Sequence, residues 1–74
     1  MIEIKLTLQN GEVISGNDIK KLVVDGEDTK ADYNAIMDIG KTLGLKPDID
    51  IELNDGRIIN KTEVKNSRAH ISFE

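Results

Sequence analysis

Two stretches of this chain alternate apolar and polar residues and then run into a glycine turn. Ile2, Ile4, Leu6 and Leu8 alternate with Glu3, Lys5, Thr7 and Gln9, and Asn10-Gly11 follows. Ile49, Ile51 and Leu53 alternate with Asp48, Asp50 and Glu52, and Asn54-Asp55-Gly56 follows. A period of two sends successive side chains to opposite faces of a strand. Asn-Gly and Asp-Gly pairs close hairpins, because both central residues of a type I′ turn need positive φ. The chain is therefore expected to build antiparallel sheet at both ends. Residues 12–15 and 57–64 are the expected return strands.

The two stretches also resemble each other at a spacing of 45 residues. Ile4, Leu8, Gly11, Ile14 and Lys20 recur as Ile49, Leu53, Gly56, Ile59 and Lys65. Any two hairpins with glycine turns share part of such a pattern. The sharper alternative is a pair of similar ββ units flanking one helix. Between them, residues 19–24 read as a further strand closed by Asp25-Gly26. A helix is expected over residues 29–43, with Thr29 as N-cap and Asp32 three residues on as a short capping-box partner. Tyr33, Ile36, Met37, Gly40 and Leu43 form its apolar face. Gly44 suits a left-handed C′ position, Leu45 is expected to fold back on Ile39, and Pro47 stops continuation. Residues 65–67 read as a loop and 68–74 as a last strand, with Ala69, Ile71 and Phe73 on one face. The fold class is α+β: one domain over residues 1–74, a mainly antiparallel sheet of five to six strands, and one helix on one face.

Composition narrows function more than it names it. The chain has 74 residues, no cysteine, and only Tyr33 and Phe73 as aromatics. That leaves no thiol chemistry and no aromatic stacking platform for single-stranded nucleic acid. A domain this small buries little core, so a homodimer is expected. No apolar run reaches the length of a membrane span, and the start lacks a signal-peptide pattern, which points to the cytoplasm. The net charge is −4, but residues 25–55 hold nine acids against Lys30, Lys41 and Lys46, a balance of −6. Phosphate is repelled by such a segment, so free nucleic acid is not the expected ligand.

Several motifs imitate catalytic or metal sites and fail on mechanism. Gly40-Lys41-Thr42 matches the end of a phosphate loop, but it closes a helix instead of opening one. Asp48-Ile49-Asp50-Ile51-Glu52 begins like a calcium loop, but Leu53 stands where glycine is required. His70, the single histidine, has Arg68 and Ser72 as strand-face neighbours and no orienting third group. Asn60-Lys61-Thr62 is a glycosylation sequon by pattern only. Lys61, Lys65 and Arg68, with Arg57, form a basic group without interleaved aromatics. Neither enzyme activity nor a cofactor or metal is expected.

The remaining feature is the carboxylate ladder Asp48, Asp50 and Glu52. Most charge runs are only solvated. The functional alternative is an acidic face, joined by Asp32 and Asp38 from the helix, addressed to a basic surface on another protein. Residues 8–16 resemble the first motif of Sm-type RNA-binding barrels, which implies an RNA-binding module as one alternative. In size, charge and residue usage the whole chain resembles small host-takeover proteins of phages that infect low-GC Gram-positive bacteria. That resemblance implies a DNA-mimicking inhibitor acting in the host cytoplasm, as with proteins that occupy the replicative sliding clamp. A homo-oligomeric accessory protein that binds partners through a sheet edge is the other alternative.

Overall fold

The computed structural model describes residues 2–71. Seven strands, β1 (Ile2–Leu8), β2 (Val13–Ser15), β3 (Ile19–Val24), β4 (Glu27–Thr29), β5 (Ile49–Leu53), β6 (Ile58–Asn60) and β7 (Val64–Ile71), accompany one helix, α1 (Tyr33–Lys41). They form two antiparallel sheets, ordered β2-β1-β7 and β4-β3-β5-β6. The α+β class stands, with seven strands in two sheets in place of five or six in one. The difference is topological. β3 leaves its own hairpin to pair with β5, and β7 returns to pair with β1. Alternation along the chain carries no information about such long-range pairing.

The 45-residue repeat is real in three dimensions. Each unit is a hairpin, a 3-10 turn and a third strand that pairs with the other unit. Leu8 N–H donates to Glu12 O at 2.8 Å, and Leu53 N–H to Arg57 O at 2.8 Å. Gly11 and Gly56 have φ of 92° and 93°. The 3-10 turns, Gly16–Asp18 and Lys61–Glu63, start from side-chain caps at Ser15 and Asn60. Both third strands shift register at their start, opposite Thr7–Leu8 in one unit and between Ile19 and Lys21 in the other. The equivalent residues Glu12 and Arg57 touch each other at 3.0 Å, so the pseudo-twofold axis runs beside that ion pair.

The hairpin turns differ from expectation. Asn10 does not have positive φ; only Gly11 does. With Gly11 N–H donating to Leu8 O at 3.0 Å, the loop has three residues, with the glycine in the left-handed position that follows a type I turn. Asp25 (φ 50°) and Gly26 (φ 87°) are the pair that both lie at positive φ, joining β3 to β4.

The helix is shorter than its apolar stripe. Thr29 lies in β4, and Asp32 itself is the N-cap, accepting from Ala35 N–H at 2.9 Å. Pairing of residues 27–29 with β3 holds that segment in the sheet. Ile36 and Ile39 are buried, whereas Tyr33 is 46% exposed and is not core. Gly40 lets the helix approach β7 closely, since a Cβ there would stand 2.1 Å from Ser67 Oγ. That approach explains why residues 65–67 are strand and not loop: Ser67 is covered by the helix and donates to Met37 O at 3.3 Å. Gly44 is not left-handed, and Leu45 is 71% exposed instead of packing on Ile39. The helix end is held by Lys61, which is only 3% exposed and donates to Thr42 O at 2.6 Å and to Leu45 O.

One core joins the inward faces of both sheets to the helix: Ile4, Leu6, Leu8, Ile14, Ile19, Leu22, Ile49, Ile51, Leu53, Ile59 and Val64 with Ile36 and Ile39. Ala69 and Ile71, expected on one face of the last strand, are both exposed, and Phe73 lies outside the described residues. No helix among the described residues is long and apolar enough to cross a membrane.

Candidate functional site: the outer face of the four-stranded sheet

Burial of Ile49, Ile51 and Leu53 forces Asp50 and Glu52 to the outer face of β5, with Asp48 exposed just ahead of them. The register then chooses their neighbours. Asp50 lies between Val23 of β3 and Asn60 of β6, and Glu52 lies between Lys21 and Ile58. Asp28 of β4 stands opposite Val23 and adds a fourth carboxylate.

This face is acidic but not bare. Lys21 Nζ donates to Asp28 Oδ2 at 3.0 Å and lies 3.5 Å from Glu52 Oε2. The hydrogen bond and charge of Asp28, with a smaller part from Glu52, hold the Lys21 ammonium above its ordinary pKa. Asn60 Nδ2 donates to Asp48 Oδ1 at 3.0 Å and Asp50 Oδ1 at 2.9 Å, so one amide spans two rungs and fixes their spacing. That bond also occupies the amide nitrogen of the sequon. Asp25 Oδ1 accepts from Asp48 N–H at 3.0 Å, while Asp25 N–H donates to Asp48 O, which ties the β3–β4 turn to the start of β5. Four carboxylates thus share one outward surface with one ammonium.

The helix acids do not join it. Asp32 is the N-cap, and Asp38 pairs with Lys41 at 3.9 Å. Asp38 lines a crevice of about 190 Å³ together with Leu22, Val24 and Ile49, residues from the inward side of the same sheet. The five-residue acidic face therefore reduces to Asp48, Asp50 and Glu52, with Asp28 as the member that sequence reasoning missed. Its signal was the positive-φ turn at Asp25-Gly26, which folds residues 27–29 back onto β3.

The basic group also divides. Lys61 is buried under the helix end, and Arg57 pairs with Glu12, whose hydrogen bond and charge raise the guanidinium pKa. Lys65 and Arg68 stay exposed on β7. His70 is exposed on β7 opposite Glu3 and does not line the cleft beside the Glu12–Arg57 pair. That cleft, about 320 Å³, is lined by Glu12, Val13, Ile14, Asp18, Leu53, Asn54, Asp55 and Arg57. Its lining pairs no nucleophile with a base. Among the described residues, no three acidic or histidine side chains gather in metal-binding geometry.

No family model matches the chain, and no curated protein or solved structure matches it.

Proposed function

We propose that the protein is a non-enzymatic inhibitor or regulator that presents Asp48, Asp50 and Glu52 to a basic, nucleic-acid-binding surface of a host protein. A DNA-replication factor such as the sliding clamp is the partner class that the resemblance to phage host-takeover proteins suggests. The observation that carries the reading is the outward ladder at β5, with Asp48 and Asp50 bridged by the Asn60 amide and Glu52 and Asp28 sharing Lys21.

Outward residues on one strand recur every ~6.6–6.8 Å, whereas phosphates along one DNA strand recur every ~3.4 Å. One ladder therefore matches about every second phosphate. A homodimer supplies a second ladder, which supports the dimeric form of the proposal. A phage-encoded protein of this kind acts in the host cytoplasm.

The test measures affinity for a purified sliding clamp from a low-GC Gram-positive bacterium. Wild type is compared with the Asp48→Lys, Asp50→Lys, Glu52→Lys triple variant, with and without duplex DNA. Binding should fall with rising salt as the Debye length drops below about 10 Å. The triple variant should bind at least about tenfold more weakly, because like charges then face each other. DNA should compete. Equal affinities for both proteins, or simultaneous DNA binding without loss, reject the reading.

A further inference from the structure

The two sheets are pseudo-equivalent in architecture but opposite in charge. Asp50 on the outer face of β5 corresponds to Lys5 on β1 across the 45-residue repeat. Lys5 stands directly opposite Arg68 of β7, and both are exposed. Like charges directly across a sheet destabilise the pair. Neither forms an ion pair among the described residues. The nearby acid, Glu3, accepts a hydrogen bond from Ser15 of β2 at 3.1 Å. β2 lies on the far side of β1 from β7, so this bond draws the carboxylate away from Arg68.

β7 is also an edge strand. Among the described residues only one side of it is strand-paired; α1 covers Ser67, and residues 68–71 beyond it are all exposed. Ala69 and Ile71, on the face opposite Arg68, are exposed as well. An unpaired edge that sets Arg68 on one face and Ala69 and Ile71 on the other is a template for an added strand.

We infer that the free edge of β7 binds an extended acidic peptide segment of another protein by strand addition, with a carboxylate facing Arg68 and Lys5 and apolar side chains over Ala69 and Ile71. An added strand sets its residues about 4.5–5.5 Å from those of β7, which brings a carboxylate within reach of the Arg68 guanidinium. A second copy of β7 is disfavoured, because it would bring a second Arg68 to the same edge. A nucleic-acid backbone meets only a few cations here and cannot use the strand's amide and carbonyl ladder. This surface lies on the other sheet from the acidic ladder and does not depend on it.

The test is an amide NMR titration of the labelled full chain with end-capped peptides as long as β7, alternating Glu with Val or Lys with Val. The Glu peptide should shift and protect amides of residues 68–71 and leave those of β4 and β6 unchanged. The Lys5→Glu, Arg68→Glu variant should lose at least about tenfold in affinity for the Glu peptide and gain affinity for the Lys peptide, since the sign of the contact reverses. Both positions are exposed, so an otherwise unchanged amide spectrum should accompany the swap. Equal binding of both peptides by the wild type overturns the inference. So does protection at another edge, or duplex DNA binding at β7 as tightly as the Glu peptide. The triple Lys variant of the β5 ladder should keep full peptide binding, so failure of either reading leaves the other standing.

Discussion

Lys61 is the side chain that most changes its meaning between sequence and fold. In sequence it belongs to a basic group. In the structure its stem is buried and its ammonium donates to the carbonyl of Thr42, the C-cap, which also accepts from Leu45 N–H, and to the carbonyl of Leu45 just beyond the helix. It takes over the role expected of a left-handed Gly44. Replacing Lys61 with Met keeps the volume of the stem and removes the donors. The expected loss is about 1.5–3 kcal/mol, the usual net contribution of hydrogen bonds to a charged group. Denaturant unfolding measures it, and amide exchange should quicken for residues 42–45 before the sheets are affected. A loss under about 0.5 kcal/mol, the ordinary range for surface changes, means that water satisfies those carbonyls.

At the scale of elements, the two hairpins make a matched experiment. Gly11 and Gly56 hold the same left-handed conformation and have open space around the missing Cβ. Alanine at either should therefore cost only the backbone term of roughly 1–2 kcal/mol, and nearly the same at both. Gly44 has neither positive φ nor a close neighbour. Alanine there should be neutral or stabilise by up to about 1 kcal/mol through the unfolded chain. Thermal unfolding of the three variants separates the cases, and a costly Gly44→Ala change refutes the description of the helix end. The same elements show what a linear pattern can reveal. β1 and β5 were legible because burial of one face imposes strict alternation, and that alternation also exposed the ladder Asp48, Asp50, Glu52. β4 was not legible, since Glu27-Asp28-Thr29 contains no apolar residue and is held by its turn and by β3. The start of β7 was hidden because a serine, and not an apolar residue, lies under Gly40 of the helix. Lys21 and Asn60, the partners of the ladder, depend on cross-strand register, which no local signal encodes.

For the whole molecule, charge sorts the four sheet edges. β4 presents Glu27 and Asp28, and β7 presents Lys65 and Arg68, so each repels a copy of itself. β2 and β6 carry no charged residue, and each exposes a β-branched apolar side chain: Val13 at 57% and Ile58 at 67%. These two are equivalent across the pseudo-twofold axis and flank the Glu12–Arg57 ion pair. Self-association of a core this small is therefore expected along β2 and β6, where apolar burial gains most and the neighbouring charges, Glu12 and Arg57, already pair with each other. Sedimentation equilibrium at micromolar protein should give a mass near twice 8.2 kDa. Val13→Asp with Ile58→Asp should shift that equilibrium to the monomer, because four carboxylates would then meet at one interface. Both residues are exposed, so the variant should stay folded, and an unchanged amide spectrum for the core strands checks this. A wild type that remains monomeric at hundreds of micromolar rejects the dimer. A dimer untouched by the double substitution moves the interface away from these edges, and with it the geometry that brings two acidic ladders together.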